Sequence, residues 1–177
     1  LWTRGCGVVT RPVAGEAMFL PQRPYMPLGD LRTQLLYPGV AELAEASEEN
    51  GKAAVGDEAL HDVLSGLGLG GLPERFEGGL DAVGDWARTL SLGEQQRLAA
   101  ARCLLRKPKF VILDEATSAL PVDDERQLYN RFQELGIGYI SVGHRTSLAA
   151  YHDTVLRLRG GGEWEVLTPE QYVGGSP

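Results

Sequence analysis

Two carboxylates, a glutamine, a histidine and a serine-glycine turn are the residues of this chain that can do chemistry together. Asp114-Glu115 directly follow Val111-Ile112-Leu113. That apolar, β-branched run reads as a strand covered on both faces. In open α/β sheets, ligands sit at the carboxyl ends of strands. Asp114 is therefore placed to hold Mg²⁺, directly or through water. Glu115 can act as base or orienter for an attacking water. Alone, the pair is also an acidic turn after a strand, and the flanking motifs carry the site reading. His144 ends another strand, Tyr139-Ile140-Ser141-Val142, after Gly143. A lone histidine is more often structural. One α/β unit after the Asp-Glu strand end, it can face the same ligand. Gln22 follows the strand end at Leu20 and precedes Arg23-Pro24-Tyr25. A loop glutamine is ordinarily just solvated. Between a strand and a helical insertion, it suits a side chain that reaches magnesium when the insertion moves.

The octet Leu90-Ser91-Leu92-Gly93-Glu94-Gln95-Gln96-Arg97 adds an anion site. Ser91-x-x-Glu94 is a capping box that starts a helix. Arg102, Arg106 and Lys107 lie at its other end, where they complement the helix dipole. A plain helix would do as much. A helix N-terminus with Gly93 beside it also binds anions, because free amides point outward and no side chain blocks approach. The two readings are compatible.

A phosphate-cradling loop of the form G-x-x-x-x-G-K-[ST] is not found in the 177 residues. Of the lysines Lys52, Lys107 and Lys109, only Lys52 follows a glycine, Gly51. Ala53 stands where Ser or Thr would hold magnesium, and Ala46 where the first glycine would be. Residue 1 is Leu, and no signal-peptide pattern follows. A truncated sequence is the expectation, rather than a phosphate site that lost its loop. Gly66-x-Gly68-x-x-Gly71 matches a dinucleotide fingerprint, but it follows the helix-like Glu58–Leu64 and runs into Pro73. That fingerprint must follow a strand and open a helix, so a helix end and loop is the better reading.

The elements that must position these residues alternate between strand and helix. Residues 8–20 read as short strand segments stopped by Pro21, and 21–30 as an ordered loop rich in Pro and Gly. Residues 31–65 are helical but interrupted, with a polar surface insert over Ser47–Asp57. Residues 91–106 form a helix ended by Pro108, and 109–113 a strand. Asp123 or Asp124 opens a helix whose Leu128, Phe132 and Leu135 share a face, closed by Gly136. After the strand Tyr139–Val142, residues 154–168 form a hairpin across Gly160-Gly161-Gly162. Such alternation implies an α/β fold with a mainly parallel sheet. Residues 31–90 are a helical excursion from it.

Composition narrows the class further. A chain of this length supports one domain with a real core. No apolar run approaches the ~18 residues of a membrane span. The net charge of −7 argues against a nucleic-acid-binding surface. Cys6 and Cys103 are too few and too far apart for a metal or disulfide framework, and Cys103 reads as core packing. His61 and His152 read as surface or packing residues.

In order and spacing these residues resemble the ATP-binding cassette (ABC) ATPases from about residue 10 to 168. Gln22 looks like the Q-loop, Leu90–Arg97 the signature and Phe110–Glu115 Walker B. Ser118-Ala119-Leu120 looks like the D-loop, and His144 the switch histidine. Phe19-Leu20-Pro21-Gln22-Arg23-Pro24-Tyr25-Met26, Leu35-Leu36-Tyr37-Pro38, Asp85-Trp86, Ser141-Val142-Gly143-His144-Arg145 and Tyr151-His152 resemble subfamily D. That group includes peroxisomal acyl-CoA, lysosomal cobalamin, plastid and bacterial carriers. Leu1-Trp2 resembles the end of the helix just after Walker A. The chain departs from the family pattern at Leu92 and Glu94, where Gly and Gln are usual. Pro121 replaces the usual D-loop aspartate, which puts cross-dimer coupling through that aspartate in doubt.

The resemblance implies a partial P-loop NTPase fold over 1–177, with a helical subdomain at 31–106 and a C-terminal β-hairpin. It implies ATP and Mg²⁺ as ligands. Glu115, His144 and Gln22 would be catalytic, and Asp114 and Gln22 would hold the metal. Ser91, Gly93, Glu94 and Gln95 would serve a nucleotide held by a second ABC domain, paired head to tail. Ser91 is therefore expected to stand away from the Glu115 cleft within one subunit. The implied function is ATP hydrolysis driving transport of a lipid-like or cofactor cargo through transmembrane domains of the same full-length chain. The membrane would be that of a peroxisome or plastid, or a bacterial inner membrane. The isolated chain is expected to be inactive. Two alternatives remain: a non-catalytic or degenerate ABC module, and a soluble ABC ATPase of DNA maintenance. The second would carry long coiled coils where 31–90 lie, and no sustained heptads occur there.

Overall fold

A computed structural model of the chain describes residues 8, 10, 12–13, 15–39 and 55–174. The windows around Leu1-Trp2, Cys6 and Lys52, and the insert up to residue 54, lie outside the described residues. The elements in chain order are β1 (Ala17–Leu20), α1 (Leu31–Leu36), α2 (Asp57–Ser65), α3 (Trp86–Thr89) and α4 (Leu92–Arg106). Then come β2 (Phe110–Asp114), α5 (Val122–Glu134), β3 (Gly138–Val142), β4 (Val155–Leu158), β5 (Trp164–Leu167) and α6 (Pro169–Gly174).

β1, β2 and β3 form a parallel sheet in that order. β4 and β5 pair antiparallel, as the hairpin expectation has it, with Gly161 and Gly162 at positive φ in the connection. The strand expectation over residues 8–20 reduces to Ala17–Leu20 among the described residues. The loop from 21 to 30 is tied down at its end. Asp30 caps α1 by accepting from Thr33 N at 2.6 Å, and Trp86 Nε1 donates to Gly29 O at 2.9 Å. Those anchors aim the segment that carries Gln22.

Side chains on a strand alternate between faces. Leu20, Val111 and Leu113 point to one face and are buried in the core with Leu98 of α4 and Leu128 and Phe132 of α5. On the other face Phe19, Ile112 and Ile140 stand in register and are 57%, 38% and 54% exposed. The expectation that Val111–Leu113 is covered on both faces is thus corrected. α4 and α5 pack against each other, and the described helices cover one face alone. A second correction concerns Leu135. It is the C-cap of α5, 40% exposed, so helical periodicity no longer places it beside Leu128 and Phe132. α5 also begins earlier than the expected Asp123 or Asp124, at Val122 with Pro121 as N-cap. Asp123, Asp124 and Glu125 fill its first turn, where carboxylates suit the helix dipole.

α4 matches its sequence signals. Ser91 and Glu94 form the reciprocal capping box, and Lys107 closes the helix at φ 48° before Pro108. α2 is a helix directly before Gly66, so the Gly66–Gly71 pattern has no preceding strand and the dinucleotide reading fails on context.

Candidate functional site at the carboxyl edge of the sheet

Parallel pairing sends every strand's carboxyl end to the same edge. Leu20 pairs with Leu113, and Asp114 pairs with Val142. The residues that follow, Gln22, Glu115 and His144, are therefore delivered to one place. Gln22 Nε2 donates to Glu115 Oε2 at 2.7 Å. His144 Nε2 lies 2.9 Å from Glu115 Oε1. His144 itself is almost wholly exposed, with 88% of its side-chain surface open, so this contact is free to exchange with solvent or ligand.

Glu115 is held in a conformation that non-glycine residues seldom adopt, with φ 49°. Its N–H donates to Val142 O at 2.9 Å, which ties the turn to the end of β3. Such backbone strain costs on the order of 1–3 kcal/mol and persists where the surroundings impose it. Here it turns the carboxylate off the end of β2, toward Gln22 and His144. Asp114 ends β2 with an exposed carboxylate that has no ion-pair partner among the described residues.

Magnesium keeps several waters and takes only one or two protein carboxylates beside phosphate oxygens. The free Asp114 carboxylate and the Gln22 side-chain oxygen, whose amide nitrogen is turned to Glu115, supply hard oxygen donors of that kind. The donor set fits the ion. Among the described residues no group of three or more His, Cys, Asp or Glu could form an all-protein metal cage.

The start of α4 is occupied by its own capping contacts. Ser91 N and Ser91 Oγ both donate to Glu94 Oε2 at 2.8 Å, and Glu94 N donates to Ser91 Oγ at 3.3 Å. Arg75 pairs with the same carboxylate. Burial would raise the Glu94 pKa, but the hydrogen bonds from Ser91 and Arg75 outweigh it and hold the group below the usual carboxylate range. Gln95 Nε2 donates to Ala87 O at 3.0 Å and Leu90 O at 2.8 Å, closing the end of α3. Ser91's polar atoms touch Glu94 and none of Gln22, Asp114, Glu115 or His144. Gly93 abuts the turn after Glu115. A Cβ there would stand 3.1 Å from Ala119 O, so a side chain would force the turn to shift.

Three further residues, Gln96, Arg145 and His152, complete the surroundings of the site. Gln96, 1% exposed, contacts the turn after Glu115 and the Gln22 backbone. Arg145 reaches the same turn from the other side, donating to Thr117 O and, at 3.2 Å, to Leu120 O. It also pairs at 2.8 Å with Glu125, which is fully buried. His152, expected as a surface or packing residue, packs between Tyr129 and Tyr139, and its ring nitrogens meet Leu148 O and Ser141 Oγ.

The ABC transporter family profile matches residues 32–118. The chain is 42% identical over 165 residues, 93% of its length, to ATP-binding cassette sub-family D member 3 of Homo sapiens. It is 46% identical over 152 residues, 85% of its length, to the human lysosomal cobalamin transporter ABCD4. In each case the chain spans about a quarter of the relative, 24% of its length. Among solved structures it is similar to a bacterial Atm1-family ABC exporter with ATP bound. The TM-score is 0.65 and the identity 25%, over 85% of this chain and 25% of that one.

Proposed function

The chain belongs to the ABC transporter family, and from that premise we propose that it is the ATP-hydrolysing domain of a subfamily D-like transporter. The observation that carries this reading is the convergence of Gln22 and His144 on the two oxygens of Glu115. Glu115 is the base that takes a proton from the attacking water. Gln22 and His144 orient its carboxylate, and each oxygen keeps a lone pair that can accept from the attacking water. His144, exposed on its open side, then turns to the outer phosphate. Mg²⁺ bound with ATP supplies neutralisation of the phosphate charge, and Asp114 with Gln22 would hold it.

Ser91, Gly93, Glu94 and Gln95 form the face offered to a nucleotide held by a second ABC domain, arranged head to tail. The self-contained capping of that helix start supports this. The capping box fixes the helix start and takes up the Ser91 and Glu94 amides, which leaves those of Leu92 and Gly93 for an anion. Residues 31–106 act as a helical subdomain, and the rest as catalytic core. Hydrolysis drives transport of a lipid-like or cofactor cargo across an organelle or bacterial inner membrane, through transmembrane domains of the full-length protein. The subfamily resemblance and the relatives support the transport reading over a DNA-maintenance ATPase. Among the described residues no helix is long and apolar enough to cross a membrane.

The 177 residues contain no G-x-x-x-x-G-K-[ST] loop, which supplies most of the charge-assisted bonds to phosphate. They should therefore bind Mg-ATP weakly on their own. Calorimetry of Mg-ATP into the purified chain, beside the ATPase rate of the full-length protein in membrane, tests the reading. Negligible heat with the chain and turnover by the full-length protein are expected. Micromolar affinity of the chain alone, or no turnover by the full-length protein, would overturn it.

A further inference from the structure

Gln96 is one of two fully buried glutamines, and it differs from the other. Gln34 leaves its side-chain oxygen without a partner, whereas every polar atom of the Gln96 amide is bonded. Its oxygen accepts from Ala119 N at 3.0 Å, which fixes the orientation of the amide. Its nitrogen has two hydrogens. One goes to Gln22 O at 2.9 Å, and the other is shared between Ser118 Oγ at 3.3 Å and Glu115 O at 3.4 Å. All four partners belong to the two segments that carry Gln22 and Glu115. A buried amide is costly unless its bonds are made, and an apolar side chain would fill the space without that demand. Six residues on, the same helix grips the far part of the Gln22 segment. Arg102 Nη1 donates to Tyr25 O at 2.9 Å, and Arg102 Nε to Gln34 O at 2.6 Å.

We propose that Gln96 is a positioning residue for hydrolysis: it locks the start of α4 to the backbone of Gln22 and to the turn after Glu115, so that the three move as one body. The kinetic consequence rests on the ATPase reading, and the mechanical link does not. When a partner's nucleotide docks on the start of α4, the displacement is passed through one amide to the base and to its orienting glutamine.

The test has two arms. The first is amide hydrogen exchange of the chain. Gln96→Met keeps length and volume but removes every hydrogen bond. Leu104→Ala, on the same helix away from the turn, controls for lost stability. Exchange at Ala119 should be slow in the wild type, accelerate about tenfold or more in Gln96→Met, and stay slow in Leu104→Ala. Unchanged exchange in Gln96→Met, or equal acceleration in Leu104→Ala, would overturn the link. Should Gln96→Met not fold, the wild type decides, and exchange at Ala119 as fast as at an unbonded amide would overturn it. The second arm is the ATPase of the full-length protein. Gln96→Met should lower kcat about tenfold with KM for ATP within about twofold, since a misplaced base slows chemistry more than binding. Full turnover in that variant would contradict the proposal. If the wild-type protein itself fails to hydrolyse ATP, the ATPase reading falls, and the exchange arm still judges Gln96.

Discussion

His144 Nε2 stands 2.9 Å from Glu115 Oε1, while the Gln22 amide holds the other carboxylate oxygen at 2.7 Å. The Glu115 carboxylate is thus held on both sides, and on its own neither partner would fix its direction. The positive φ of Glu115 supplies the third constraint, because it turns the side chain off the strand axis. Each oxygen keeps a lone pair for a water, and the exposed His144 is the partner freer to leave. On the function proposed above, nucleotide arrival would draw His144 from Glu115 to the outer phosphate.

Arg145, next to that histidine, braces the turn after Glu115. It is the only ion-pair partner of the buried Glu125 among the described residues, and it also holds the carbonyls of Thr117 and Leu120. Arg145→Leu should destabilise the fold by about 3 kcal/mol, because it leaves a charge buried without its partner. Adding Glu125→Gln should recover a large part of that loss. Chemical denaturation of the two variants and the wild type checks this. A single variant as stable as the wild type, or a double variant no better than the single, would refute it.

Alkaline pH should unfold the chain through Cys103. Burial pushes its pKa up to about 12 from an ordinary 9.0, against the pull of Arg102 and Arg106. Tyr129 is likewise pushed up to about 12 from 10.0, mainly by burial. A raised folded pKa gives stability that is complete below the unfolded value and lost as pH climbs through the folded one. Arg102, lowered by burial to about 10, works the other way only above that pH. Between pH 9 and 10 the slope therefore belongs to Cys103. Melting temperature measured under reducing conditions should fall across this window in the wild type, and less steeply in Cys103→Ala. Equal slopes would show that the thiol is not the cause.

The sheet face left open by the described elements has a solution consequence. Phe19, Ile112 and Ile140 form an apolar row in register on it. The 177-residue chain should bind an apolar dye and self-associate. Ile140→Thr keeps a β-branched side chain suited to the strand, so stability should change by less than about 0.5 kcal/mol while self-association weakens several-fold. Sedimentation at increasing concentration measures it, and an unchanged monomer fraction would contradict the assignment.

Much of the site was legible because strand ends announce themselves. Pro21 after Leu20, the acids after Leu113 and Gly143 after Val142 each mark where a strand stops. Parallel pairing then brings the next residues together. The capping box was legible because Ser91 and Glu94 satisfy each other locally. The exposure of Ile112 was not, because what covers a sheet face is decided by other elements and leaves no mark in the strand's composition. Leu135 failed for a related reason: periodicity holds only inside the helix, and the helix ends at Glu134. Gln96 hides in a polar octet, yet it is spaced i, i+3, i+4 and i+7 with Ala99, Ala100 and Cys103, all buried. That stripe was the signal that the glutamine faces inward.

Single-turnover ATP hydrolysis by the full-length protein carrying Glu115→Gln tests the role of Glu115 most directly. Glutamine keeps the shape of the side chain and removes its basicity. Hydrolysis should fall about 10²-fold or more while ATP binding stays within about twofold of wild type. Turnover near the wild-type rate would mean that Glu115 is not the base, and that its clamp by Gln22 and His144 serves the fold alone.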